Sequence, residues 1–425
     1  MNSLIIRNAT IINEGISFRG DVIIEGEYIT YAGPSSTERI PEQARIIDAR
    51  GLLLIPGVID EHVHFREPGL THKGDIRSES MAAVAGGVTS FMDMPNTSPQ
   101  TVTNELIREK LATASEQSLA NYSFYIGATN SNLSEVLEAD PSAVCGIKLF
   151  MGSSTGNMLV NDETVLRDLF SRASIPLACH CESESIIKRN TAVYMEKYGE
   201  DVPVGMHPYI RSREACYQSS HYAVTLAREY GTRLHLLHIS TADELKLLSS
   251  ELHPGSKRIT GEACLHHLWF DREALQKGLC NDTIDTIATD HSPHTAPEKN
   301  NTYFRAPSGA PFVQHSLVAM LELWHRKLIP IETIVKKMCH NPAIIYNIKD
   351  RGFIREGCKA DICLINPDDP WTVSKDNILY KCGWSPLEGT TFRSKVKMTM
   401  VNGTIVSDNG MINEEARGQQ LVFSR

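Results

Sequence analysis

Strand-like apolar segments alternate with helical ones through the middle of this chain of 425 residues, and this alternation constrains the fold most strongly. Eight strand-like runs occur, the number found in a closed parallel barrel: residues 54–60, 90–94, 122–128, 146–150, 176–180, 233–238, 258–265 and 284–289. Many of these runs end in His, Asn, Lys or Asp, and such barrels keep their catalytic groups at the carboxyl ends of the strands. The sequence therefore predicts an α/β fold with a TIM-type (β/α)8 barrel.

Both ends of the chain carry a different pattern, in which apolar and polar side chains alternate. The strand-like runs there are residues 3–12, 20–32, 46–55, 360–365 and 395–406. The pair Asn402-Gly403 suits the tight turn of a hairpin. We therefore expect both chain ends, residues 1–55 and 350–425, to form one small β-sandwich domain, with the barrel occupying residues 56–349.

Charge and hydropathy argue against nucleic acid or membrane partners. The formal net charge is -9 and no block of Lys and Arg stands out, so no basic patch is offered to phosphates. The amino-terminal segment lacks a basic region before a long apolar stretch, and no run approaches the roughly 18 apolar residues of a membrane span. The ten Cys include no CxxC pair, which favours reduced thiols. These features predict a cytoplasmic protein.

His62 and His64 lie two residues apart in a strand-like segment that follows Pro56-Gly57. Side chains in a strand alternate between its two faces, so both imidazoles are expected on one face, where they could bind one cation. An HxH pair alone is more often a pair of ordinary polar residues at a strand end. Other strand ends supply Lys148, His180, His238 and Asp290, and zinc prefers a set rich in imidazole and carboxylate.

Lys148 interrupts an apolar strand, where an ammonium group would lose its hydration. A lysine that extends to solvent or pairs with an acid is the ordinary alternative. A neutral, desolvated amine can instead add carbon dioxide and become a carbamate, whose two oxygens could bridge two metal ions. With that carbamate, Asp290 and a bridging hydroxide, two Zn(II) ions would keep one net positive charge. That charge would suit an anionic substrate.

Motifs in a fixed order resemble those of the dihydroorotases, within the amidohydrolase superfamily, and they span nearly the whole chain. They are PGVIDEHVHFREPG, MPNT, GIKLF, CHCE, LLHIS, TDHSPH and CGWSP. The resemblance implies that His62 and His64 bind one zinc, that His180 and His238 bind another, and that carboxylated Lys148 bridges them. Asp290 would be a ligand of the first zinc. Other histidines, among them His235, His266 and His267, are interpreted as residues that support the ligands from behind or that pack in the core.

The same resemblance implies a mechanism. In the hydrolytic direction a hydroxide held between the metals would attack the ring amide of dihydroorotate. Asp290 would take the proton and deliver it to the leaving ring nitrogen. The reverse direction would cyclise N-carbamoyl-L-aspartate during de novo pyrimidine biosynthesis.

The resemblance also implies how the substrate carboxylate is held. Arg66 and Asn96 would bind it with help from His294, because a guanidinium matches a carboxylate in two hydrogen bonds. Ser308 and Gly309 would meet the substrate ring through their backbone. The ordinary alternatives are a surface ion pair of Arg66 with Glu67 or Asp75, and a turn role for Asn96.

One segment departs from the family pattern. Similar dihydroorotases carry a substrate-contacting loop with an Asn-Pro segment after HHL, whereas here Phe270 runs directly into Asp271. We favour omission of residues from the given chain over a true deletion, because active-site loops at barrel mouths are often mobile. An intact mass that matches 47.2 kDa would contradict this interpretation.

Three alternatives stay open at this point. Allantoinases and dihydropyrimidinases share the scaffold, although their substrates lack the carboxylate that Arg66 would bind. A non-catalytic barrel that supports a neighbouring enzyme would be expected to lack ligands, yet all six positions are filled here. The sequence does not fix the oligomeric state, and a homodimer is one assembly that it allows.

Overall fold

The computed structural model describes residues 3–35, 44–152, 158–270 and 273–425. Its strands are β1 (Ser3–Asn13), β2 (Ile16–Glu25), β3 (Tyr28–Gly33), β4 (Arg45–Asp48), β5 (Leu53–Pro56), β6 (Val58–Val63), β7 (Val88–Asp93), β8 (Asn121–Gly127), β9 (Gly146–Phe150), β10 (Leu177–His180), β11 (Leu234–Leu236), β12 (Ile259–Cys264), β13 (Thr286–Ala288), β14 (Ile362–Asn366), β15 (Trp371–Thr372), β16 (Thr391–Phe392), β17 (Lys395–Val401), β18 (Thr404–Asp408) and β19 (Met411–Ile412).

The α-helices lie mainly between the strands of the middle region. They are α1 (Ile76–Ala85), α2 (Asn104–Gln117), α3 (Leu133–Leu137), α4 (Glu163–Arg172), α5 (Glu184–Tyr198), α6 (His207–Ile210), α7 (Arg213–Tyr230), α8 (Leu265–Trp269), α9 (Glu273–Cys280), α10 (Ala296–Lys299), α11 (Ser316–His325), α12 (Ile331–Val335) and α13 (Asn341–Tyr346). Side-chain caps help to fix where several helices begin. Asp75, for example, accepts a hydrogen bond from Ser78 N at the start of α1, which satisfies a backbone donor that the helix leaves free.

Strands β6 to β13 form one eight-stranded sheet in sequence order, and every neighbouring pair is parallel. The first and last strands meet through a parallel bridge between Val63 and His291, and His64 N donates to His291 O over 2.8 Å. The sheet therefore closes into the predicted (β/α)8 barrel. Its strands are buried on both faces, as in β8, where all seven residues are buried.

Both chain ends contribute to one nine-stranded sheet, separate from the barrel, in the order β19-β18-β17-β14-β5-β1-β2-β3, with β4 paired to β1. One aliphatic core links the two ends, with Ile6 and Leu54 from one end packed with Ile362 and Met400 from the other. Asn402 and Gly403 have φ angles of 50° and 74° and form the turn between β17 and β18, as expected. The predicted domain limits near residues 55 and 350 stay predictions.

The first barrel strand differs from its predicted limits. Residues 54–60 were expected to form one strand, but the segment divides at Gly57. Strand β5 pairs with β1 and β14 in the end sheet, whereas β6 pairs with β7 in the barrel. A side chain at Gly57 would lie 2.1 Å from Thr89 Oγ1, so only glycine permits this close approach. Hydropathy alone does not reveal such a change of sheet.

None of the helices in the described residues is long and apolar enough to cross a membrane.

Candidate metal centre and active site

The six predicted ligands lie at or just beyond the carboxyl ends of barrel strands. They are His62 in β6, His64 one residue after it, Lys148 in β9, His180 at the end of β10, His238 two residues after β11 and Asp290 two residues after β13. The backbone is left-handed at His238 and Asp290, with φ angles of 40° and 48°. Such strained residues persist where the surrounding structure holds them, often at functional sites.

His62, His64 and Asp290 form the first cluster. Asp290 Oδ1 lies 3.3 Å from His62 Nε2 and 3.1 Å from His64 Nε2. One donor atom from each residue lies within 4.8 Å of the other two. A single cation could contact all three, as zinc does with imidazole and carboxylate ligands.

The other ring nitrogens of this cluster are already committed to hydrogen bonds. His62 Nδ1 lies 2.9 Å from Glu262 Oε1, and His64 Nδ1 lies 2.6 Å from Asn96 Oδ1. Both oxygens are acceptors, so each ring carries its proton on Nδ1 and turns the Nε2 lone pair towards Asp290. This arrangement of ligand and supporting acceptor is typical of histidines that bind metals. The residues present therefore fit a divalent cation.

His180 and His238 form the second cluster. Their nitrogens Nδ1 and Nε2 are 2.8 Å apart, and the ring centroid of His238 lies 5.7 Å from that of His62. The second ring nitrogen of His180 lies 2.9 Å from Glu182 Oε2, and Arg211 pairs with the same carboxylate. The fold thus brings all four predicted imidazoles to one end of the barrel.

Lys148 lies inside the barrel and is 1% exposed. Its Nζ lies 4.5 Å from the ring centroid of Phe150 and makes no hydrogen bond or ion pair with the described residues. Burial lowers the pKa of Lys148 to about 8, because an ammonium group is disfavoured away from water. Part of the population is then a neutral amine near neutral pH, which is the form that can take up carbon dioxide. Carboxylation itself stays a prediction.

The charges around the site favour an ionised carboxylate at Asp290, and they act differently on the neighbouring rings. Burial lowers the pKa of His62, but the carboxylates of Glu262 and Asp290 outweigh it and raise that pKa overall. Burial opposes ionisation of Asp290, but His62 and His64 hold its pKa well below the ordinary value. Burial lowers the pKa of His64 to about 4 and that of His238 well below its ordinary value. Neutral imidazoles have the lone pair that a metal ion requires.

Arg66 and His294 lie next to the first cluster. Arg66 is 6% exposed; its Nε donates to Pro293 O over 3.1 Å and its Nη2 lies 3.0 Å from His294 Nε2. It makes no ion pair with Glu67 or Asp75, so the alternative of a surface salt bridge is wrong. Asn96 supports His64 from the loop after β7, and any contact of Asn96 with a substrate stays a prediction.

Ser308 and Gly309 line a cavity of about 950 Å³ at the barrel mouth, together with Arg211, Lys299, Tyr303 and Ile210. Lys299 Nζ donates to Pro307 O over 2.7 Å and to Gly309 O over 3.0 Å, which fixes this segment. A side chain at Gly309 would lie 2.5 Å from Ser292 Cβ, and the φ angle of Gly309 is 110°. The segment is therefore placed where a ligand in the mouth could meet its backbone.

Sequence reasoning missed Glu262, which holds His62 and also accepts from His238 N over 2.9 Å. Glu262 belongs to two further groups with metal-binding potential among the described residues, one with His62 and Cys264 and one with Glu61 and His235. It is a fully buried acid in the apolar strand β12. The signal that singled out Lys148, a charged residue inside an apolar strand, would have found it.

The junction between Phe270 and Asp271, where similar dihydroorotases carry a loop, lies partly outside the described residues. Helix α8 ends at Trp269 and α9 begins at Glu273, while Asp271 and Arg272 are not described. The interpretation that residues have been omitted from the given chain stays a prediction.

The barrel and the two histidine clusters beside Asp290 form a site with the donor groups that a metal ion requires. The model of the Amidohydrolase family matches residues 53–406. The chain therefore belongs to the amidohydrolase family, and it is a cyclic amide hydrolase. An enzyme of this class contradicts the alternative of a non-catalytic scaffold.

Relatives that are named for different activities are about equally similar to this chain. A dihydroorotase from Methanosphaera stadtmanae is 30% identical, covering 98% of this chain and 99% of the relative. An allantoinase from Solibacter usitatus is also 30% identical, covering 99% of this chain and 97% of the relative. The solved L-hydantoinase (dihydropyrimidinase) from Arthrobacter aurescens superimposes with a TM-score of 0.92 at 24% identity, covering 99% of this chain and 100% of that one. The last similarity concerns the fold alone.

Proposed function

We propose that this protein is a dihydroorotase, which interconverts N-carbamoyl-L-aspartate and L-dihydroorotate in de novo pyrimidine biosynthesis in the cytoplasm. The observation that carries the proposal is the buried guanidinium of Arg66 beside the Asp290 cluster. A buried cation without a carboxylate partner requires an anion to offset the loss of hydration. The substrate carboxylate of dihydroorotate would supply that anion.

Two zinc ions would be held by the six residues described above, the first by His62, His64 and Asp290 and the second by His180 and His238. Carboxylated Lys148 and a hydroxide would bridge them. When bound, zinc supplies a nucleophile near neutral pH and polarises a carbonyl oxygen. About two zinc ions per chain are therefore expected from metal analysis of the purified protein.

Asp290 is the group that would move the proton. In hydrolysis it would accept the proton of the attacking nucleophile and donate it to the ring nitrogen as the amide bond breaks. Its pKa lies well below the ordinary value because His62 and His64 stabilise the carboxylate, so Asp290 begins the hydrolytic direction as a base. The reverse direction would begin with the protonated acid.

The carboxylate of the substrate would lie against Arg66, Asn96 and His294. Arg66 Nη1 has no partner among the described residues, and Nη2 contacts only His294. Two parallel hydrogen bonds from a guanidinium to a carboxylate give both affinity and orientation. The backbone of Ser308 and Gly309, which packs next to Ser292, would contact the substrate ring.

Allantoinase is the second candidate, because curated allantoinases resemble the chain as closely as dihydroorotases do. Turnover of dihydroorotate, allantoin and dihydrouracil by the zinc-loaded protein separates the three activities. Turnover of allantoin without turnover of dihydroorotate would contradict the proposal.

Arg66→Met tests the carboxylate contact directly. We expect the KM for dihydroorotate to rise about ten- to hundredfold, since a charge-assisted hydrogen bond is lost. The matched control is Arg355→Met, because the exposed Arg355 pairs with Glu14 in the turn between β1 and β2. An unchanged KM in Arg66→Met would remove the reason for preferring dihydroorotate.

A further inference from the structure

His294 has a cationic side chain at each of its two ring nitrogens. Arg66 Nη2 lies 3.0 Å from Nε2, and Lys73 Nζ lies 3.1 Å from Nδ1. Burial and the charges of Arg66 and Lys73 lower the pKa of His294 to about 3, so the ring is neutral. A neutral imidazole has one accepting nitrogen and one N–H group. His294 can therefore accept a hydrogen bond from only one of its two neighbours.

Lys73 is held in place on its other side by an acid. Its Nζ lies 2.9 Å from Glu298 Oε1. The other oxygen of Glu298 accepts from Thr295 N and from Thr295 Oγ1, each over 2.9 Å. This capping box begins α10 and fixes the carboxylate, which holds Lys73 Nζ in position against Nδ1 of His294. Lys73 is thus a fixed donor at that nitrogen.

Arg66 has no comparable acid. Its Nε donates to Pro293 O, and its Nη2 has only His294 as a neighbour within hydrogen-bonding distance among the described residues. If Nδ1 accepts from Lys73, the proton of His294 lies on Nε2, and two donors then face each other across 3.0 Å. An anionic oxygen placed beside this pair, rather than between the two nitrogens, could accept from both. The arrangement is complete only with a negatively charged ligand.

We propose that Lys73 is a positioning residue that sets the tautomer of His294, so that Nε2–H and Arg66 together donate to a carboxylate attached to the substrate ring. This inference rests on the proposed function for the identity of the substrate. It adds a residue, nine positions after His64, that does not itself contact the substrate. Lys73 acts through His294. The resulting pair of donors favours cyclic amides that carry a carboxylate.

The tautomer can be measured in the free zinc-loaded protein by 15N NMR of labelled histidines, with His294→Gln used to assign the ring signals. We expect the native protein to carry the proton of His294 on Nε2. In Lys73→Met we expect the proton of His294 to move to Nδ1. Arg66 is then the remaining donor, and Nε2 accepts a hydrogen bond from it. A native protein with the proton on Nδ1, or the same tautomer in both proteins, would overturn the proposal.

Steady-state kinetics provide the second test. We expect Lys73→Met to raise the KM for dihydroorotate about tenfold or more, since a charge-assisted contact is weakened, while kcat stays within about twofold. Lys73→Arg should recover part of the loss, because arginine can still donate to Nδ1. The matched control is Lys381→Met, since Lys381 pairs with Asp75 outside the mouth.

The outcomes separate the two proposals. An unchanged KM in Lys73→Met, or an equal fall of kcat in Lys73→Met and Lys73→Arg, would overturn the role of Lys73 and leave the dihydroorotase proposal standing. Native protein that does not turn over dihydroorotate would contradict the proposed function, and the NMR measurement would still decide the tautomer.

Discussion

The barrel and the nine-stranded sheet at the chain ends are both built from short apolar strands, yet they bury different kinds of side chain. The barrel buries charged groups, each at most 2% exposed: Asp60, Glu61, Lys148 and Glu262. The end sheet buries an aliphatic core that includes Ile11, Leu54, Leu364 and Met400. The barrel therefore holds its candidate reactive groups at a cost in stability, whereas the aliphatic core of the end sheet stabilises the fold and includes none of the six predicted ligands.

This difference has a physical cause. A buried charge loses its hydration, and only a partner or a bound ion offsets that loss. A buried aliphatic side chain stabilises the fold in proportion to its area. Variants in the two regions should consequently separate into those that change activity and those that change the free energy of unfolding.

The largest expected effect is that of Asp290→Asn in the barrel. Removing a group that acts as base and then acid should lower kcat about 10²- to 10⁴-fold, with little change in the melting temperature. The conservative control in the end sheet is Asp408→Asn at the end of β18. Comparable kcat values for Asp290→Asn and the native protein would contradict the role of Asp290.

Leu364→Ala in the end sheet should lower the free energy of unfolding and leave kcat unchanged. Leu364 is 1% exposed within the aliphatic core, and such truncations cost about 2–5 kcal/mol. Urea unfolding should detect this loss, while kcat at low temperature stays at the native value. Loss of activity before any unfolding would show that the two regions are coupled and would contradict their separate roles.

Glu262→Gln should have a smaller effect on the barrel site. The carboxylate holds His62 in the orientation that a metal ligand requires, and loss of such a partner lowers metal affinity or activity about 10- to 100-fold. Zinc titration of the metal-free protein measures the affinity. Glu25→Gln at the end of β2 is the matched control, and equal zinc affinity in both variants would remove Glu262 from the site.

The smallest effect is expected at the edge of the end sheet. Met411 in β19 is 72% exposed, so Met411→Ser should change the free energy of unfolding by no more than about 0.5 kcal/mol. A larger loss would indicate that this edge is covered in solution, for example by a second copy of the chain, and light scattering should then detect an oligomer.

Much of the fold followed from local patterns. The sequence predicts a strand over residues 146–150, and the structure has a strand with the same limits. Turn chemistry likewise predicts the turn at Asn402-Gly403. The division at Gly57 is not evident from the sequence, because the nearest residues on both sides, Ile55 and Pro56 before it and Val58 and Ile59 after it, are all apolar. Only the approach of Thr89 in a neighbouring strand shows why the chain changes sheet there.

The sequence alone determined which residue types could stand at the strand ends, because alternation along a strand and the eight-fold repeat depend only on chain order. It named His62, His64 and Asp290 before their convergence was visible. The tertiary structure decided which atoms face one another: Glu262 behind His62, Asn96 behind His64, and Lys73 behind His294. A hydrogen bond forms only when donor and acceptor lie within a few tenths of an ångström of the right separation. For residues far apart in the chain, only the closed barrel fixes that separation.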